Sequence, residues 1–270
     1  MAPLETKERQ PTMSKCLEIQ DLAFHYQNTD NIFEGINFEL HNGEILSLLG
    51  PNGCGKTTLL NCIIGLCKNT HGNIIINGKT ELTGKEKSQA LGFVPQTMTA
   101  TFDYKVIDYV VCGVAPYLKM FNRPGKCEYE RAWESLETMK ITDLAEKSYA
   151  QISGGEQQLV SIARVLTQKP DFILLDEPTS HLDFGNIVRT LKIIKSMSDK
   201  GFGIIMTTHN PDHALMMGGS TLIMKDCGNF KFGNTKQIVT QDSLRDLYGI
   251  DLYLEESLNA QRLTCVAPKL

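Results

Sequence analysis

Gly50 to Thr58 reads GPNGCGKTT, and the reading of this stretch decides the fold. It follows the apolar run Ile45 to Leu49 and leads into LLNCIIGL at Leu59 to Leu66. A buried strand that turns through glycines into a helix is the setting in which GxxxxGK[ST] cradles phosphate. Gly50, Gly53 and Gly55 let the main chain approach a polyphosphate and aim successive N–H groups at it. The positive end of the new helix stands behind them. Pro51, Asn52 and Cys54 fill the loop between the glycines. Lys56 is expected to reach the β and γ phosphates, Thr57 to place its hydroxyl on Mg²⁺, and Thr58 to support the α and β phosphates. A glycine turn that only packs a helix onto a sheet would explain the glycines but not the Lys-Thr pair.

The chain has 270 residues, 41% hydrophobic and 21% charged, enough for one α/β unit with a subdomain. Its net charge of -4 argues against broad nucleic-acid binding, which needs a basic surface. The longest apolar-looking stretch, Val106 to Leu118, is too short to span a bilayer and carries Asp108 and Pro116. No secretory signal opens the chain, so a cytosolic protein is expected. The eight cysteines are scattered without a CxxC pair, which favours buried or free thiols over metal ligands or disulfides. Cys54 stands apart because amides at a helix start lower a thiol's pKa, so its modification is expected to block nucleotide binding.

Residues 1 to 14 are polar with two prolines and read as a disordered extension. From Cys16 the chain alternates like a strand, and INFELHNGEILSLLG repeats the pattern around His41-Asn42-Gly43, suggesting an antiparallel layer. Gly72 to Gly78 extends that layer. Tyr26 lies within it, as a platform for an adenine ring or as an ordinary half-buried strand residue. A short strand ends at Pro95-Gln96. Residues of about 97 to 160 have helical spacing and read as an insert. Ser153-Gly154-Gly155 caps a further helix and offers a second anion site. Phe172 to Leu175 ends in Asp176-Glu177 at the ligand edge of a doubly wound sheet. Asp176 is placed to hold Mg²⁺ through water and Glu177 to polarise an attacking water. His209 ends another strand at the same edge, within reach of a γ-phosphate. Asp242 to Tyr248 reads as a short helix, and residues 251 to 270 as a tail without a motif.

Taken together these pieces resemble the ATP-binding subunit of ATP-binding cassette (ABC) transporters, over about residues 16 to 250. GPNGCGKTT looks like the Walker A motif, Gln96 the Q-loop glutamine, ISGGEQQ the signature, FILLDEPTSHLD the Walker B and D-loop, and His209 the switch histidine. Tyr26 matches the family's adenine-stacking aromatic. The resemblance implies an α/β fold: a P-loop NTPase core over residues 15 to 250 with an antiparallel β subdomain and a helical subdomain insert. It implies a head-to-tail homodimer in which Ser153, Gly154 and Gly155 of one copy face ATP and Mg²⁺ on the other. Gln96 would sense metal and water, and Asp183 would couple the two sites. Ile152 and Glu156 depart from the usual leucine and glutamine, and the charge of Glu156 is expected to weaken closure somewhat.

The resemblance also implies two transmembrane permease subunits, a periplasmic or extracellular binding protein acting indirectly, and a place at the cytoplasmic face of the membrane. Within the family the chain looks like importer subunits for iron-siderophore, haem or vitamin B12 uptake. NFKFGNTKQIVT and the spacing of the insert also resemble a molybdate or tungstate member. A soluble cassette serving iron-sulfur cluster assembly is the alternative of another class.

Overall fold

The computed structural model describes residues 15–27, 29–96, 103–119 and 121–269. The extension read over residues 1 to 14 and the insert's first residues, 97–102, lie outside the described residues. β1 (Cys16–His25) and β2 (Asn31–His41) pair antiparallel, and Leu17, Ile19, Phe38 and Leu40 face inward. The turn at His41-Asn42-Gly43 does not continue this layer. β3 (Ile45–Leu49) is buried along its whole length and crosses into a second sheet, as a strand covered on both faces must. α1 (Lys56–Ile64) follows the glycine loop, and β4 (His71–Ile76) returns to complete the antiparallel order β2-β1-β4.

α2 (Gly84–Ala90) was not foreseen, although Thr83 and Glu86 form a capping box that announces it. β5 (Leu91–Val94) then enters the second sheet. α3 (Val106–Val111), a 3-10 segment at Cys112–Tyr117, α4 (Lys126–Met139) and α5 (Gly154–Gln168) make up the helical insert. Val106, Val110 and Val111 belong to its core, and Val114 is buried as well. β6 (Phe172–Leu175), α6 (Phe184–Asp199), β7 (Gly203–Thr208), α7 (Pro211–Met217), β8 (Ser220–Asp226) and β9 (Asn229–Asn234) complete the α/β unit. The six-stranded order is β5-β6-β7-β3-β8-β9, parallel except for β9.

Side chains of this sheet alternate between two cores. Ile173, Leu175, Ile204 and Met206 pack toward the helical insert, whereas Phe172, Leu174 and Ile205 pack toward the antiparallel layer and α1. Full burial stabilises each such side chain by about 1.5–3 kcal/mol, so the sheet is the rigid frame on which the strand-end residues hang.

Past β9 come α8 (Thr235–Ile238) and α9 (Gln241–Tyr248), the latter close to the helix read from sequence. The stretch read as a motifless tail contains a hairpin, β10 (Tyr253–Ser257) and β11 (Arg262–Val266). Leu254 and Cys265 pack with Leu244 and Leu247 of α9, and the Arg262 guanidinium donates to both oxygens of Asp212 on α7 at 2.7 and 2.8 Å.

Candidate active site

The chain turns from β3 into α1 through a loop in which Gly53 (φ 86°) and Gly55 (φ 99°) are left-handed. A β-carbon on Gly55 would come within 2.7 Å of Ile32 Cγ2 on β2, so the close packing of the antiparallel layer against the loop requires glycine there. Loop and layer together border a cleft of about 420 Å³, lined by Tyr26, Ile32, Asn52, Gly53, Gly55, Lys56, Thr57, Thr58, Gln96 and Glu177. Gly50, Pro51 and Cys54 belong to the loop but do not line the cleft. Tyr26 is 48% exposed and leans edge-on against Phe24, with ring centroids 4.9 Å apart, which leaves part of its surface open at the cleft wall.

Lys56 is 5% exposed, and a buried ammonium needs acceptors. It donates to the carbonyls of Gly50 at 2.8 Å and Pro51 at 2.9 Å, and lies 3.5 Å from Glu177 Oε1. Asp176 is gripped by both oxygens: Thr57 Oγ1 donates to Oδ2 at 2.8 Å and Thr207 Oγ1 to Oδ1 at 2.7 Å. Thr207 also accepts the Glu177 N–H at 2.6 Å. That bond anchors a residue held at φ 46°, a left-handed conformation costing a non-glycine residue on the order of 1–3 kcal/mol. The Glu177 carboxylate thus sits between Lys56 and His209, whose Nδ1 donates to Oε2 at 2.8 Å. The Thr57 hydroxyl and the Asp176 carboxylate are an all-oxygen pair, the donor chemistry that suits Mg²⁺.

A family model for the ABC transporter matches residues 33–180. The chain belongs to the ABC transporter family. The molybdate import ATP-binding protein MolC of Haemophilus influenzae is 36% identical over 247 residues, covering 91% of this chain and 92% of that protein. The ferric enterobactin transport ATP-binding protein FepC of Escherichia coli is 29% identical over 222 residues, covering 81% and 82%. A solved structure described as an inward-facing conformation of a metal-chelate type ABC transporter superposes with a TM-score of 0.85 at 32% identity, covering 95% of this chain and 98% of that one. This ABC subunit is therefore an ATP-binding protein and an ATP hydrolase coupled to transport.

Within the ABC fold the signature residues stand away from the cleft of their own chain. Ser153 caps α5 and shares a capping box with Glu156, whose Oε2 accepts from the Ser153 N–H at 2.8 Å and from its hydroxyl at 2.7 Å. These bonds hold the Glu156 carboxyl below its ordinary range. Gly155 packs against Asn186 and Leu182, where a β-carbon would meet Asn186 Nδ2 at 3.3 Å. Asp183 caps α6 through bonds to Asn186, so the signature and the D-loop adjoin each other. Among the described residues no helix is long and apolar enough to cross a membrane.

Cys54 departs from the expectation of an activated thiol. It is 9% exposed, and burial pushes its pKa up despite the opposing field of Lys56. Sequence reading also passed over three residues that build the site. Thr207 ties the Asp176 carboxylate and the Glu177 N–H to β7. Tyr248, at the end of α9, donates to the His209 carbonyl at 2.7 Å. His213, kept below its ordinary range by burial, receives contacts from Thr179 and Thr208 beneath the His209 turn. Only Thr207, at the strand end that leads to His209, carried any sequence signal.

Proposed function

We propose that the chain powers uptake of a metal-bearing solute, working as a head-to-tail pair on the cytoplasmic face of a membrane beneath two permease subunits. The observation that carries the catalytic part is the Glu177 carboxylate held between Lys56 and His209 at the mouth of the glycine loop. Tyr26 stacks on adenine, Gly50 to Thr58 wraps the phosphates, and Lys56 moves from its loop carbonyls onto the β and γ oxygens. Thr57, Asp176 and Gln96 hold Mg²⁺, which when bound neutralises charge on the phosphates. Glu177 takes a proton from the attacking water while His209 steadies the γ-phosphate. Ser153, Gly154 and Gly155 of the second copy close over the nucleotide, and Asp183 joins the two sites. Closure completes the site and hydrolysis allows reopening, so affinity differences between open and closed states do the mechanical work.

For the cargo, the metal-chelate likeness at 32% identity over 95% of the chain supports a chelate such as an iron-siderophore, haem or cobalamin, delivered by a binding protein outside the cell. The 36% identity to a molybdate import subunit favours a second reading, an oxyanion. Purification from detergent-solubilised membranes tests the partnership: a many-span permease should accompany the chain, and exclusive recovery with soluble scaffold proteins would discard it. The reconstituted complex should then accumulate either a labelled metal chelate or labelled molybdate, and lose uptake with Glu177→Gln.

A further inference from the structure

Away from the nucleotide, the fold assembles a donor set that the sequence keeps apart. Cys16 at the start of β1 pairs across the strands with His41 at the end of β2. Glu39, two residues before His41, shares its face. The inward neighbours Leu17, Phe38 and Leu40 are buried, so Cys16, Glu39 and His41 stand together on the outer face of the layer. Cys16 Sγ donates to Glu39 Oε1 at 3.3 Å, and His41 Nε2 lies 2.9 Å from the same oxygen. Their three donor atoms lie within 4.8 Å of one another.

We propose that Cys16, Glu39 and His41 bind a divalent transition cation of the Zn²⁺ and Co²⁺ class. One sulfur, one imidazole nitrogen and one carboxylate oxygen are donors such ions favour, whereas Mg²⁺ and Ca²⁺ take oxygen alone. Donors bound at about 2.0–2.3 Å around a tetrahedral ion stand about 3.3–3.7 Å from each other. Two of the separations here already fall within a few tenths of an ångström of that range. The cation would replace the two contacts that now converge on Glu39 Oε1.

The ligands sit on a braced scaffold. Cys16 N–H donates to Asn77 Oδ1 at 3.2 Å, Asn77 Nδ2 donates to Asp171 at 2.7 Å, and Asn42 N–H donates to the Lys15 carbonyl at 3.2 Å. Burial, then the Glu39 carboxylate and the charge of Glu18, push the Cys16 thiol up to about 12, so its sulfur keeps its proton in the metal-free fold. On binding, bonds form to Sγ, a Glu39 oxygen and His41 Nε2, the thiol proton passes to solvent, and no oxidation state changes. Three protein ligands leave a fourth position for water. The site lies at the Gly203 end of β7, where His41 O is 3.2 Å from a β-carbon built on Gly203. Thr207 is about 13 Å along the same strand. Occupancy therefore staples β1 to β2 and leaves the nucleotide cleft untouched.

Cobalt titration of the full chain, without nucleotide and with excess Mg²⁺ to fill oxygen-only sites, tests this by visible absorption. A thiolate-to-cobalt charge-transfer band should saturate at one equivalent and disappear on adding Zn²⁺. Cys16→Ser should abolish the band, and His41→Gln should weaken cobalt binding by at least about tenfold. Cys67→Ser and Cys112→Ser should leave it intact. ATP binding by each variant reports that the chain is folded; if Cys16→Ser loses it, His41→Gln decides the matter. Absence of the band in the wild type, its survival in Cys16→Ser, or unchanged affinity in His41→Gln would overturn the site.

Discussion

Replacing Thr207 by valine removes one hydroxyl and nothing else of consequence in shape, yet that hydroxyl serves two groups. In Thr207→Val the Asp176 Oδ1 loses its donor and the Glu177 N–H loses its acceptor, at a position that is 0% exposed. Each buried polar group left without a partner costs about 1–3 kcal/mol, so a loss of about 2–6 kcal/mol is expected for the two. For a chain of this size about 3 kcal/mol lowers Tm by roughly 6–12 °C. The effect on turnover is separate, because Glu177 is held left-handed by the bond it would lose. Misplacing a catalytic carboxylate by about 1 Å costs on the order of 100-fold in rate. Calorimetry and steady-state ATP hydrolysis on Thr207→Val and Thr207→Ser read both effects, and serine should restore most of each. Equal Tm and turnover in the valine variant and the wild type would refute the view that β7 positions the carboxylate pair.

Glu177→Gln should bind MgATP but lose about 10²- to 10⁴-fold in hydrolysis and accumulate closed dimers on size exclusion; near-normal turnover removes Glu177 from the role of base. Tyr248→Phe leaves the His209 carbonyl without its donor and should cost about 0.5–1.5 kcal/mol in urea unfolding together with a measurable fall in kcat, with KM for ATP little changed. Glu156→Gln should weaken the α5 cap by about 0.3–1 kcal/mol and yet tighten ATP-driven dimer formation, because it removes negative charge beside Ser153. Burial keeps His213 neutral in the fold, so as pH falls below about 6.5 the unfolded chain takes up a proton that the folded chain does not. Stability should therefore fall from neutral pH toward about pH 5, and His213→Gln should flatten that slope in urea titrations.

The glycine loop, the acidic strand end and the cap at Ser153 were legible because each is encoded by adjacent residues with one dominant physical meaning. Strand β3 was assigned to the wrong sheet, since alternation in Glu39 to Leu49 shows extended chain but not which partner it joins. The bonds of Thr207 to Asp176 and of Tyr248 to His209 span residues that only the sheet order brings together. Cys16 and His41 are a sharper case: scattered cysteines argued against metal ligands, and antiparallel pairing set a histidine and a carboxylate beside one of them. The hairpin Tyr253–Ser257 and Arg262–Val266 escaped notice because its strands are half-exposed and carry little apolar pattern.

That hairpin has a bearing on how the molecule tolerates change. Arg262 clasps Asp212 at the start of α7 and Tyr248 clasps the His209 carbonyl, so the turn that carries His209 is held from two directions by elements that follow β9. Lesions in this terminal segment will register as sluggish turnover although none of its side chains lines the nucleotide cleft. A mutational map of activity will consequently draw a footprint that spills well past the cleft, and drift at the carboxyl end will be curbed by chemistry taking place elsewhere.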